Sequence, residues 1–156
     1  MRRIIATLVV ALGSCAAAFA QDITYRKHIR PLWLQKCAVC HGADSPYLGD
    51  FDESKKKYEA ALKGPRMDTY ADLIFYIGWP DTGAIQRRLD DGKSTADGKP
   101  GNMYQYLGAT EEERQRNLNV FKDWVGKDAW KLNRWQARGK VPAITKEDLD
   151  RIRATY

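Results

Sequence analysis

The sequence lacks an uninterrupted apolar run of about 18 residues, the length that a membrane-spanning helix requires. Cysteine and histidine are scarce, with three and two copies in 156 residues, which limits the ligands available for a protein-held zinc ion. Alternation of apolar and polar residues, the pattern of a half-buried strand, is also rare. An apolar content of 44% and a charged content of 29% are nevertheless ordinary for a globular domain. The composition therefore favours one helical domain without a transmembrane helix.

Basic residues are in modest excess, and no basic run is interleaved with stacking aromatic residues. The formal net charge of +6 falls to +4 when Arg2 and Arg3 are removed with the N-terminal segment described below. The lysines of ESKKKYE, residues 53–59, are typical of a solvated helix face, and they would help to steer an acidic partner protein. We therefore expect no nucleic acid partner.

Residues 1–20 have the features of a cleavable export signal, with a basic start, an apolar run and the small-residue cleavage site Ala18-Phe19-Ala20. The stretch LGSC, which ends at Cys15, offers an alternative. It loosely resembles a lipoprotein processing site, and a lipid on Cys15 would hold the protein at a membrane surface. We predict cleavage after Ala20 and a periplasmic protein. Two cysteines then remain.

The stretch CAVCHG, residues 37–42, brings Cys37, Cys40 and His41 within five residues. A disulfide-exchange pair is typically found between a strand and a helix, whereas the preceding TYRKHIRPLWLQK has helical spacing. A zinc site needs a fourth ligand, and His28 is the one further cysteine or histidine of the exported chain. Covalent haem attachment uses all three residues, because the thiols bond to the two vinyl groups and the imidazole binds the iron.

This motif, after an export signal, resembles that of the c-type cytochromes. The order of elements over residues 24–126 resembles the single-haem, class I-like members of that family. The resemblance implies an all-α fold, with helices wrapped round one covalently attached haem c. It also implies that Cys37 and Cys40 form the thioether bonds and that His41 is the proximal iron ligand. One haem is expected because the motif occurs once.

The resemblance further implies a methionine as the distal iron ligand, in an irregular loop before a C-terminal helix. Met103, in GKPGNMY, is 62 residues after His41 and fits this position, although Tyr104 stands where the family usually has proline. Met67, in GPRMDTY, and His28 are the alternative distal ligands. For both, a structural or surface role is the simpler interpretation.

Several side chains near these loops are candidates for contacts to the haem propionates or to the distal ligand. Aromatic N–H or O–H groups and arginine charges supply the propionate candidates, and Asn102 is a candidate donor to the Met103 sulfur. The propionate candidates are Trp79, Tyr104, Tyr106, Arg66, Arg87 and Arg88.

Helical periodicity predicts five helices, at about 24–40, 53–63, 69–77, 82–91 and 110–126. Pro31 falls within the first of them, and Thr110 with Glu113 predicts a capping box at the start of the last. We assign residues 21–126 to the cytochrome domain and residues 127–156 to a C-terminal extension. Trp130 and Trp135 would pack this extension onto the domain, and Thr145 would cap a short terminal helix.

The sequence therefore predicts a periplasmic electron carrier that passes one electron between transient redox protein partners. It shows no nucleophile–base pattern of an enzyme. Two alternatives stay open. One is a haem subunit of a larger periplasmic oxidoreductase complex, docked through the C-terminal extension. The other is a haem-based binder of small ligands, which would need an open position on the iron.

Overall fold

The computed structural model describes residues 22–130 and 143–156. The predicted signal peptide at 1–20, the possible lipidation site Cys15 and the predicted packing residue Trp135 lie outside the described residues. Within the described ranges the chain forms helices and no strand, which confirms the predicted all-α fold. No helix in this part of the chain is long and apolar enough to cross a bilayer.

Short helices make up most of the regular structure between residues 22 and 130, and one more lies in 143–156. A π-helical turn, Tyr25–Ile29, precedes the first α-helix, and a 3₁₀ turn, Tyr104–Leu107, precedes the longest. The α-helices are α1 (Arg30–Lys36), α2 (Ala38–His41), α3 (Leu48–Glu53), α4 (Lys55–Ala60), α5 (Tyr70–Ile77), α6 (Ala84–Leu89), α7 (Glu111–Val125), α8 (Lys127–Trp130) and α9 (Lys146–Asp150).

The helix predicted at 24–40 is divided into the π-helical turn, α1 and α2. Thr24 caps the turn by accepting a hydrogen bond from the backbone N–H of Lys27. Pro31 lies in the first turn of α1, where its missing N–H has no intrahelical partner to lose. The second break falls at Cys37, whose φ of −120° is outside the helical range. A short separate turn therefore carries the rest of the CAVCHG motif.

The helix predicted at 53–63 corresponds to α4, which follows α3 after a break at Ser54, where φ is −124°. The prediction missed α3, because this helix has no buried residue and no apolar periodicity marks it. Helices α5 and α7 begin within one residue of their predicted starts, after Thr69 and Thr110. Thr69 and Asp72 form a complete capping box.

Helix α7 supplies the centre of the core. Its residues Leu118, Phe121, Trp124 and Val125 are all completely buried. The Phe121 ring lies edge-on to that of Trp33 in α1, with 6.2 Å between the ring centroids. Burial of each such side chain contributes about 1.5–3 kcal/mol to the free energy of unfolding. These contacts hold α1, and the motif that follows it, against α7.

The start of α7 is tied to α1 by an ion pair. The Lys36 ammonium lies 2.5 Å from the Glu113 carboxylate. The same carboxylate takes part in the capping of α7, where the predicted capping box differs in one hydrogen bond. Thr110 accepts from the N–H of Glu113 as expected, but Glu113 accepts from the N–H of Ala109 instead of Thr110. The carboxylate thus caps α7 and binds α1 with the same group.

The last residues of the chain lie across the core. The Thr155 carbonyl accepts hydrogen bonds from the backbone N–H of Tyr25 and from the indole Nε1 of Trp124, both at 2.8 Å. Ala154 bonds to the Trp124 carbonyl through its N–H and to the Tyr70 hydroxyl through its carbonyl. The C-terminal segment therefore joins the start of the described chain to α5 and α7.

Candidate functional site

Cys37 lies between α1 and α2, and Cys40 and His41 lie in the single turn of α2 that follows it. The Cys37 carbonyl accepts backbone hydrogen bonds from Cys40 at 3.1 Å and from His41 at 2.9 Å. Both thiols are half-buried and free, and the imidazole is buried with 8% exposure. One short turn thus presents two thiols and an imidazole from nearly the same place.

The His41 ring is fixed by a backbone carbonyl. Its Nδ1 lies 2.7 Å from the carbonyl oxygen of Pro65. A carbonyl can only accept, so Nδ1 carries the hydrogen and Nε2 keeps its free lone pair. Burial lowers the pKa of His41, although the Pro65 hydrogen bond acts in the opposite direction. The ring is therefore held neutral, which is the form that binds a metal.

The loop after α4 closes around this ring. The N–H of Gly64 donates to the Cys40 carbonyl at 2.8 Å, and the N–H of Met67 donates to the His41 carbonyl at 2.9 Å. A Cβ added to Gly64 would lie 2.7 Å from His41 Nδ1 and closer still to Cε1. Only glycine leaves room for the ring here. On another side, the Trp33 ring centroid is 6.2 Å from that of His41.

The two thiols are poorly suited to disulfide exchange. Burial, with a smaller contribution from the neighbouring Cys40, raises the pKa of Cys37 to about 12. Exchange chemistry requires a thiolate, so a protonated Cys37 is a weak nucleophile at neutral pH. No group of three His, Cys, Asp or Glu side chains is arranged to hold a metal ion directly in residues 22–130 and 143–156. The two thiols and the imidazole of this turn fit a cofactor that forms a separate bond with each of them.

Two buried side chains in the described part of the chain have polar atoms without a partner. They are Trp33, at Nε1, and Gln86, at both Nε2 and Oε1. Buried polar groups in folded proteins are nearly always hydrogen-bonded, so these atoms indicate a polar group that the polypeptide does not supply. Together with the fixed imidazole and the glycine beside it, they fit a haem, which is apolar over its ring and carries two carboxylates at its edge.

Gln86 and Pro65 were not among the predicted site residues. A glutamine between Ile85 and Leu89, which share the apolar side of a predicted helix, was the one available signal for Gln86. Pro65 acts through its carbonyl, which any residue possesses. Its role depends on where the loop lies, so the sequence carries no signal for it.

The candidate distal ligands occupy different places. Met103 is half-buried before the 3₁₀ turn, and its N–H donates to the Arg88 carbonyl at the end of α6, at 2.9 Å. Met67 is half-buried too, but its backbone is bonded to that of His41. His28 accepts a hydrogen bond at Nδ1 from the N–H of Thr24, 3.0 Å away, and so helps to cap the first turn.

Most of the side chains that were candidates for propionate contacts form hydrogen bonds with other protein groups. Arg66 bonds to Asp68 and Tyr47, Arg87 to Asp81 and the Thr82 carbonyl, and Arg88 to Asn102. Asn102 accepts that bond with its side-chain amide oxygen, Oδ1. The Tyr104 hydroxyl donates to Glu111, and burial together with this bond raises the pKa of Tyr104 to about 12. Trp79 and Tyr106 are exposed.

A helical fold and a CAVCHG turn whose imidazole is fixed by a backbone carbonyl are the features of the c-type cytochromes. Comparison with known families agrees, since the family model described as PccH cytochrome c matches residues 24–156. The chain therefore belongs to the PccH cytochrome c family. It carries one covalently bound haem c and is an electron-transfer haem protein.

A solved structure, that of the monoheme cytochrome PccH from Geobacter sulfurreducens, is similar over most of both chains. The two chains share 57% sequence identity, and the alignment covers 86% of this chain and 99% of the other. The TM-score of 0.75 shows a common fold. No curated protein sequence matches the chain.

Proposed function

We propose that this cytochrome is a periplasmic one-electron carrier. Its haem is bonded to Cys37 and Cys40, with His41 as the proximal and Met103 as the distal iron ligand. The observation that carries the proposal is the His41 ring, which is buried, kept neutral and aimed by the 2.7 Å bond to the Pro65 carbonyl. A haem held in this way supplies an iron that gains or loses one electron without a change of ligands.

The side chains of the motif have separate tasks. The two thiols prevent loss of the cofactor, because each forms a thioether. The Pro65 carbonyl orients the imidazole and increases its basicity by accepting its Nδ1–H. The buried surroundings of Trp33 limit the polarity near the iron and therefore disfavour the more highly charged oxidised state. These residues tune the potential and do not transform a substrate.

Backbone contacts favour Met103 over Met67 as the distal ligand. The Met103 loop is anchored on the end of α6 by the bond to the Arg88 carbonyl. Met67 is bonded to the backbone of His41 itself. Met103, whose loop has no such bond to His41, would therefore supply the second iron ligand, and its thioether would favour the reduced iron.

We infer transient redox proteins as partners. Electron carriers dock through small interfaces, typically under about 1,200 Å², so that they can dissociate after each transfer. Export to the periplasm follows from the signal-like segment at residues 1–20.

The test is a redox titration of the purified cytochrome with its cofactor, alongside the variants Cys37→Ala and Cys40→Ala. We expect a reversible one-electron transition in the native protein and no carbon monoxide binding to its reduced form at neutral pH. Each single variant should retain one thioether, which the pyridine haemochrome spectrum reports. Ready carbon monoxide binding by the native protein would instead favour a small-ligand binder.

A further inference from the structure

The side chain of Gln86 is the least satisfied polar group in the described part of the chain. It is 2% exposed, and neither its Nε2 nor its Oε1 has a hydrogen-bond partner. Other buried polar groups near α6 are paired. Asp90 accepts from Trp130, Gly92 and Ser94, and the Thr82 hydroxyl donates to the Gly78 carbonyl. An amide left unpaired in so well-bonded a region indicates a partner from outside the polypeptide.

Gln86 lies on α6, and the loop that carries Met103 is bonded to the C-terminal end of this helix. The Arg88 carbonyl accepts from Met103, and the Asp90 carbonyl accepts from Gly101, so the loop is built on the end of α6. Among the described residues, Trp33 has the one other buried side-chain N–H group without a partner, and its ring adjoins His41. Unpaired polar atoms thus occur beside the imidazole and on the helix that anchors the Met103 loop.

We propose that the Gln86 amide is a haem-binding group that donates a hydrogen bond from Nε2 to a propionate carboxylate. Apart from the iron and its ligands, the propionates are the polar groups of a haem. A carboxyl group also matches both atoms of a primary amide, since it accepts from Nε2 and, when protonated, donates to Oε1. The three arginines that sequence reasoning suggested already have protein partners. A buried neutral amide therefore takes the place of a surface cation.

The Gln86 proposal rests on the proposed function only in that both require the bound haem. It does not depend on which residue is the distal ligand. If the wild-type protein showed no Met–iron ligation, the proposed distal ligand would be wrong. The Gln86 hydrogen bond could still be tested by the propionate measurement described next. The two failures are therefore distinguishable.

The experiment compares Gln86→Leu with the native cytochrome, both with haem, and uses Gln105→Leu as the matched control. Gln105 is exposed near the same loop, so its replacement makes the same chemical change outside the core. Resonance Raman spectra report the bending mode of the propionates, whose frequency falls when a hydrogen bond is lost. We expect that shift, together with a lower thermal midpoint, in Gln86→Leu alone.

Two outcomes would overturn the proposal. An unchanged propionate mode with a raised midpoint would show that leucine had merely removed an unpaired amide. An unchanged propionate mode with an altered Met–iron absorption band would place the amide at the distal ligand instead.

A measurement on the native protein covers the case in which Gln86→Leu does not accumulate. In ¹⁵N-glutamine-labelled ferrous cytochrome, we expect nuclear Overhauser effects between the Gln86 side-chain N–H protons and the propionate methylenes. Their absence, with the Gln86 amide resonances assigned, would contradict the hydrogen bond.

Discussion

At the scale of single residues, the position of the His41 ring depends on the absence of a side chain at residue 64. A Cβ on Gly64 would overlap the imidazole, which cannot move away without losing its bond to the Pro65 carbonyl. We expect Gly64→Ala to lower the free energy of unfolding by about 1–3 kcal/mol, as overpacking of a core does. We also expect a shift in the reduction potential. Denaturant unfolding and a redox titration measure these two effects.

Gly49→Ala is the matched control, because an added Cβ at Gly49 has no heavy atom within 4 Å. Gly49 lies within α3, where alanine is favoured over glycine by up to about 1 kcal/mol. The control should therefore be neutral or stabilising. An unfolding free energy for Gly64→Ala equal to that of the native protein would contradict the close contact.

The predictability of the site differs from residue to residue. The sequence alone could identify Cys37, Cys40 and His41, because the spacing of these residues in the chain is the motif for covalent haem attachment. Gln86 could not be identified in this way, because its significance is that no protein group pairs with it, and that is visible only after folding. The sequence favours Met103 over Met67 as the distal ligand because Met103 lies in a loop before a C-terminal helix, as the resemblance to the family implies. That assignment stays a prediction.

At the scale of elements, the segment after α6 is fastened to α7 through Asp91. Its carboxylate lies 2.9 Å from Lys93, 3.1 Å from the Gln115 amide and 3.6 Å from Lys122. Burial alone would raise the pKa of Asp91. The hydrogen bonds from Lys93 and Gln115, with the charge of Lys122, outweigh it and lower the pKa to about 2. The carboxylate therefore stabilises the fold when it is ionised.

We expect Asp91→Asn to cost about 2 kcal/mol of unfolding free energy at neutral pH, from the difference between 3.8 and about 2. Since the folded pKa is depressed, the contribution is complete above pH 3.8 and disappears as the pH falls towards about 2. Urea unfolding at several pH values measures this. Asp123→Asn, at a more exposed pair with Lys127, is the control. A loss that persisted undiminished at pH 2 would contradict the ionic origin.

The elements were predictable where an apolar stripe and a capping residue coincide. Helices α5 and α7 follow Thr69 and Thr110, and each buries one face. Helix α3 has no buried face, so periodicity could not locate it. The division of the first helix at Cys37 was not predicted either, because no proline or glycine marks it in the sequence.

At the scale of the whole molecule, the last residues connect parts of the core that are distant in sequence. Deletion of residues 154–156 would leave the backbone N–H of Tyr25, the indole N–H of Trp124 and its carbonyl without their present partners. A buried polar group without a partner costs roughly 1–3 kcal/mol. We therefore expect the truncated cytochrome to lose at least about 3 kcal/mol of unfolding free energy, measured by denaturant titration.

Leu149→Ala is the control for the truncation. This side chain is exposed on α9, and its replacement keeps every hydrogen bond of the terminal residues. It should change the unfolding free energy by less than about 0.5 kcal/mol. Equal stability of the truncated and full-length proteins would show that the C-terminal contacts do not support the core.

The identity of the distal ligand decides whether the whole molecule acts as a closed electron carrier. The most direct measurement is the weak far-red absorption band that a methionine sulfur gives when it is bound to ferric haem, compared in the native protein, Met103→Ala and Met67→Ala. We expect the band in the native protein and in Met67→Ala. In Met103→Ala it should be lost, and the reduced haem should then bind carbon monoxide. A band that survived in Met103→Ala and vanished in Met67→Ala would contradict the proposed ligation.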